Sequence, residues 1–341
     1  MIADLYLPRD AGAAGSVAGA AGGELAAIES AGRFGARAAL RHGWREWLVA
    51  DLGRAELRGV AAARIAAAPL AQAVDATATI WIATPVHLTA GLTRVHLDHR
   101  GLLRLPPAEL AALAADFRRT FGEGGIAIAP LASGDLLLAT PGMAALATPE
   151  PARCAGGEVV DALPRGREAA PLRRLTSEIE MWLHSHPLNA ERTARGELPV
   201  SALWLWGAAG RSLPPEPHVA TDAPRAFGAD AWLAGLWHLL GGAARPLPGH
   251  LEEVLGEDRA PRTVLVAEVG RELQRADGAP ASAPQALARL AEHFVGPALR
   301  ALRAGELTRV TLIVNDTRAL LGRSSHWRFW RRRRAGLASF A

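Results

Sequence analysis

PQALARLAEHFVGPALRALRAGELTRVTLIVND, residues 284–316, is the stretch on which the fold turns. Residues 284–305 read as one long helix with a bend at Gly296-Pro297, and TRVTLIVND (308–316) reads as a continuous apolar strand. Just upstream, ADAWLAGLWHLLG (229–241) has the pattern of a helix and RTVLVAEV (262–269) that of a buried strand. Strands that are apolar along their whole length and alternate with helices predict a parallel sheet covered on both faces. The expectation for the C-terminal half is therefore an α/β core.

Working back from there, PLRRLTSEIEMWLHSH (171–186) places Leu172, Leu175, Ile179, Trp182 and Leu183 on one stripe. That is an amphipathic helix stopped by Pro187. A polar turn and the strand Ser201–Trp206 follow. The N-terminal half is more mixed. A strand-like start (Ile2 to Leu7) runs into the glycine-rich AGAAGSVAGAAGG (11–23), and helices are expected over about 24–41 and 58–74. The segment 77–101 alternates like a hairpin turning at Ala90-Gly91. LPPAELAALAADFRRTF carries proline at the first helical turn and predicts a helix over Pro107–Phe121. GIAIAP and DLLLATP are strand-like, and the stretch 148–168, rich in proline, glycine and arginine, marks a lobe boundary. The expected division is residues 1–75 as the N-terminal part of the core, 76–165 as an inserted α+β lobe, 166–325 as the C-terminal part of the core, and 326–341 as a basic tail.

Half of the 341 residues are apolar, enough for a well-buried core. No run of eighteen apolar residues occurs, and MIADLYLPRD lacks the regions of a secretory leader. With Cys154 as the one cysteine, an internal disulfide and a cysteine-rich metal site are excluded, which fits a reducing, cytoplasmic setting. All 38 basic residues are arginine, so Schiff-base chemistry and a phosphate loop built on lysine are excluded too. The net charge of +4 is concentrated in HWRFWRRRR; without Arg328 and Arg331–Arg334 the body carries 33 basic against 34 acidic residues. Binding to nucleic acid or to a membrane is not expected from such a body.

Several groups could carry chemistry. His184 and His186 point apart on a helix, two residues being roughly 200° of rotation, so they share no metal unless the helix has ended. His87, His96 and His99 with Asp98 lie in the 77–101 hairpin without a supporting third-ligand spacing. Asn189, Arg192 and Arg195 fall on one face if 188–195 is helical. Two guanidinium forks beside an amide suit a carboxylate or phosphate, and with His186 they form a candidate site for a small anionic ligand. The alternative is that the arginines pair with Glu191 or Glu197. Trp204 and Trp206 alternate on a strand and share its face, where core packing is the default.

HSHPLNAERTARGELPVSALWLWG (184–207) resembles a run in the archaeal-type cofactor-independent phosphoglycerate mutases, members of the alkaline phosphatase superfamily. AWLAGLWHLLGG and the helix leading to LTRVTLIVND extend the resemblance. PVHL, EIEMWLHSHPLN, LPVSALWLWG and RFWRRR together resemble a proteobacterial group labelled phosphoglycerate mutase or "regulatory protein, Rpf type E". The resemblance implies an alkaline-phosphatase-like α/β core, mostly parallel and covered by helices, with a smaller inserted α+β lobe. It also implies two divalent metals held by aspartates and histidines, and a serine nucleophile.

The chain departs from that pattern at every one of those elements. LYLPRD stands where the family has Asp-Gly, ARIAAAPLAQ where it has its nucleophile, and GRELQRADG where it has an Asp and His ligand run. Of the terminal Asp-His pair, Asn315-Asp316-Thr317 keeps Asp316 as the residual metal candidate. No cofactor is expected. The expected protein is a degenerate phosphoglycerate-mutase-like chain with a regulatory or ligand-binding role; the alternative is a mutase or phosphatase with a rearranged site.

Overall fold

The computed structural model describes residues 2–4, 25–73, 75, 77–91, 94–214, 223–256, 262–268 and 283–327. The glycine-rich stretch 11–23, Asp10, the run 270–278 and the arginines of the tail lie outside the described residues. In chain order the first elements are β1 (Ile2–Asp4), α1 (Ala26–Phe34), β2 (Ala36–Ala39), α2 (Gly43–Asp51) and α3 (Ala62–Ala66). Next come β3 (Thr79–Ala90), β4 (Val95–Leu102), α4 (Pro107–Phe121), β5 (Ala127–Pro130), β6 (Leu136–Thr140) and β7 (Gly157–Glu158). They are followed by α5 (Ala170–His184), α6 (Pro187–Ala194), β8 (Ala202–Trp206), β9 (Arg225–Phe227), α7 (Ala231–Leu239), β10 (Ala244–Arg245), α8 (Leu251–Leu255) and β11 (Thr263–Glu268). The chain closes with α9 (Ala283–Leu290), a π-helical turn (Ala291–Val295), α10 (Gly296–Ala304), β12 (Arg309–Val314) and β13 (Thr317–Gly322). No helix among the described residues is long and apolar enough to cross a membrane.

The chain divides into two compact units, the first made of residues 1–58, 222–229 and 244–341. It holds a four-stranded sheet in the order β1-β11-β9-β10, parallel throughout, and a separate antiparallel sheet β12-β13-β2. Its core is built from Ile28, Phe227, Leu265, Leu287, Leu290, Phe294, Leu312 and their neighbours. RTVLVAEV thus takes its place in a parallel sheet. TRVTLIVND does not: β12 turns back at Asn315-Asp316 into β13, its antiparallel neighbour. Helix α1 is also shorter than the expected 24–41. It ends at Gly35, whose backbone turns extended (φ −67°, ψ 150°), and the chain continues as β2 beside β13. A Cβ on Gly35 would stand 2.8 Å from the Cβ of Ala319, so only glycine allows that approach.

The second unit comprises residues 59–221 and 230–243. Its six-stranded sheet is organised on the long strand β3: β6 pairs with 79–83, β8 with 82–86 and β4 with 86–90, all antiparallel. The mostly parallel sheet expected for the chain is therefore confined to β1, β11, β9 and β10, and SALWLW belongs to an antiparallel sheet instead. A run of apolar residues reports that a strand is buried on both faces, as β6 and β8 are, and carries no information about strand direction.

Helix α4 begins at Pro107 and runs to Phe121, as its sequence predicts. It buries Leu110, Leu113, Ala114 and Phe117 against the sheet and α5, and each large side chain fully buried there is worth ~2 kcal/mol. Trp204 and Trp206 lie buried with Ile82 and Val86 on the other face, where their indoles donate to Pro149 O and Thr84 Oγ1. Gly235 of α7 lets that helix touch α3: a Cβ there would sit 1.9 Å from Ile65 O.

Candidate functional site

The signature segment 184–207 lies wholly in the second unit, and His186, Arg192 and Arg195 reach from it to α4. Helix α5 ends at His184 and α6 begins three residues later, with Pro187 at its first position, where a missing N–H costs nothing. His186 is the N-cap. Its Nδ1 accepts from Leu188 N at 3.2 Å. The ring is buried, 7% exposed, packs edge-on to Trp182 at 4.7 Å, and brings Nε2 to 3.1 Å from Asp116 Oδ2. That last contact has ion-pair distance but not the alignment of a hydrogen bond.

Asn189, one turn into α6, spends its amide on the chain itself. Nδ2 donates to Leu183 O at 2.7 Å and Val200 O at 2.8 Å, while Oδ1 accepts from Val200 N at 2.7 Å. Arg192, 5% exposed, donates through Nε to Leu198 O at 2.9 Å and through Nη1 to Glu109 Oε2 at 2.6 Å, with Glu197 Oε2 at 3.2 Å. Arg195 pairs with Glu109 and with both oxygens of Glu197, and its side chain keeps 44% exposure. Hydrogen bonds donated by Arg195 hold the Glu197 carboxyl below its ordinary value, and the same bonds raise Arg195 in turn.

The pairings run in reverse order along the two helices. His186 meets Asp116, while Arg192 and Arg195 meet Glu109, so α6 lies antiparallel to α4. Asp116 and Glu109 are seven residues apart, two turns on one face and ~10 Å along the axis, which matches the ~9 Å from His186 to Arg192. Of the four residues expected at an anion site, His186, Arg192 and Arg195 meet the carboxylates Asp116, Glu109 and Glu197, while Asn189 bonds to backbone alone. Glu197 was one of the alternatives legible in the sequence. The part played by Glu109 and Asp116 was missed, although their spacing on the polar face of α4 was a usable signal.

The other candidates do not assemble. His87 Nδ1 is 2.9 Å from Pro199 O, His96 is exposed, and burial makes the His99 ring harder to protonate. Asp98 Oδ1 accepts from Arg100 N in a local turn. Among the described residues no three of His, Cys, Asp and Glu converge on a point that could hold a metal ion. Cys154 is half-buried, and burial pushes its thiol up to about 11.

Of the positions that the resemblance makes ligands and nucleophile, those around residues 63–68 and 315–316 fall among the described residues. Ala63, Ile65, Ala66, Ala67 and Ala68 are buried apolar residues. Asn315 and Asp316 take left-handed backbone (φ 48° and 59°) at the tip of the β12-β13 hairpin, the conformation a two-residue hairpin turn of primed type requires. The Asp316 carbonyl accepts from Leu40 N at 2.7 Å.

A second polar group is buried beside Trp206. Thr84 Oγ1 donates to Asp135 Oδ1 at 2.8 Å, Ser133 Oγ to Oδ2 at 2.6 Å, and Arg104 lies 3.4 Å from the same carboxylate. Its members satisfy one another across β3 and the β5-β6 turn.

No family model matches the chain, and no curated protein matches it. Among solved structures, the PH0037 protein of Pyrococcus horikoshii is similar at 10% identity and a TM-score of 0.45, covering 87% of this chain and 80% of that one. A cofactor-independent phosphoglycerate mutase from Thermoplasma acidophilum is similar at 16% identity and a TM-score of 0.38, covering 86% and 80%. At these scores and identities neither structure assigns a fold or a function to the chain.

Proposed function

We propose that this chain is a binding or regulatory protein of phosphoglycerate-mutase-like descent, with an alkaline-phosphatase-like plan, that does not catalyse phosphoryl transfer. One observation carries the reading: the most distinctive polar residues of the resembling segment, Asn189 and Arg192, are buried and donate to the chain's own carbonyls and carboxylates. Asn189 has both amide hydrogens committed to the chain, and Arg192 is buried with Nε and Nη1 committed, so both groups hold the fold. The turn conformation of Asp316 and the alanines at 66–68 support the same reading.

A small phosphorylated or carboxylated ligand would meet this region at Arg195, whose guanidinium is the exposed member of the cluster. The test uses the purified full-length chain, assayed with Mn²⁺, Zn²⁺ and Mg²⁺ for interconversion of 2- and 3-phosphoglycerate and for phosphatase turnover, beside metal analysis. Background turnover is expected. Stoichiometric zinc or manganese together with mutase or phosphatase turnover overturns the reading in favour of a rearranged active site. Calorimetry with inorganic phosphate and 3-phosphoglycerate on wild type and R195A tests the ligand arm. Heat that survives R195A places the ligand elsewhere.

A further inference from the structure

We infer that His186 is a proton-operated cap, whose protonation uncaps α6 and loosens the clamp that Asn189 places on Val200. The inference stands on the geometry of the ring and does not depend on whether the protein is catalytic.

An imidazole nitrogen can accept a hydrogen bond only while it carries a lone pair. Nδ1 accepts from Leu188 N, so the ring is held as the tautomer with its proton on Nε2, the atom facing Asp116. A second proton must go to Nδ1. It then confronts the Leu188 N–H donor to donor, and it sets a cation against the positive end of α6. In exchange, the Nε2–H contact with Asp116 becomes a full ion pair. One proton thus trades a cap for a salt bridge, and the two arrangements of the side chain are distinct. The charged group that faces the ring is Asp116 on α4, whose other oxygen pairs with Arg119; α5 contributes the uncharged Trp182 ring.

What the cap controls lies one residue on. Asn189 N donates to His186 O at 3.0 Å, and the Asn189 side chain is the link to Leu183 and Val200. A displaced His186 therefore shifts the first turn of α6 and, with it, the lead into β8. Most N-caps are serine, threonine, aspartate or asparagine, none of which titrates between pH 5 and 8; histidine does.

Two-dimensional NMR of the full-length protein tests this between pH 8 and 5, in wild type and in H186N, where asparagine keeps a cap acceptor without a titrating ring. At pH 8 the ring is expected as the Nε2–H tautomer. As it titrates, the Leu188 and Val200 amide resonances should move with it in one transition, and in H186N both should stay flat. An Nδ1–H tautomer at pH 8 overturns the inference, as do a ring that stays neutral down to pH 5 and Leu188 and Val200 amides that stay still when the ring gains its second proton. So does the same transition persisting in H186N. Circular dichroism of H186N at pH 8 confirms that the variant is folded before its flat profile is read.

Discussion

The side-chain amide of Asn189 and the backbone of Val200 exchange two hydrogen bonds, Oδ1 accepting from Val200 N and Nδ2 donating to Val200 O. The asparagine thus behaves as one more peptide unit beside a strand, and it fixes where the chain turns from α6 toward β8.

Replacing Asn189 with alanine leaves Val200 N, Val200 O and Leu183 O buried without that partner. Each orphaned buried group costs ~1–3 kcal/mol, so N189A should lose about 3 kcal/mol in urea denaturation with an unchanged m-value. A loss under 1 kcal/mol would show that the clamp is not what holds this segment.

Arg192 and Arg195 share Glu109 but differ in burial, and the difference predicts unequal costs. R192M takes from the largely buried Glu109 carboxylate one of its two arginines and leaves Leu198 O without its donor, and should cost about 2–3 kcal/mol. R195M removes a half-exposed, solvent-screened ion pair and should lower the melting temperature clearly less than R192M. Thermal melts of the two single variants and of R192M/E109L check this. The double variant should recover part of the R192M loss, because the half-compensated Glu109 carboxylate is removed with its partner.

Helices α3 and α7 touch through Gly235, and no side chain can be inserted there without moving the backbone of Ile65. G235A should destabilise by more than the ~1–3 kcal/mol typical of overpacking, despite alanine's better helix propensity. A neutral or stabilised G235A, read by denaturant midpoint, would contradict the close approach.

The acid limb of stability should feel Glu197. Its folded pKa is depressed below the ordinary 4.5, first by the hydrogen bonds from Arg195, so its contribution is present above that value and lost as pH falls through the folded one. Stability of wild type relative to E197Q, measured from pH 7 to pH 3, should shrink from about pH 5 downward. Parallel curves would remove Glu197 from the acid response.

How much of this was legible in sequence follows from the range of each signal. The bounds of α4 come from Pro107 and a local apolar stripe. The β3-β4 hairpin comes from alternation around Gly91, and the shared face of Trp204 and Trp206 from the two-residue period of a strand. These patterns are local, so the sequence alone determined them, as it did the absence of lysine. Tertiary structure alone decided which strands run parallel, because burial on both faces makes β6 and β11 look alike in sequence while one pairs antiparallel and the other parallel. It alone also chose the carboxylates that Arg192 and Arg195 meet: Glu109 lies 83 and 86 positions away in the chain, and nothing local ties them together until α4 and α6 are packed antiparallel.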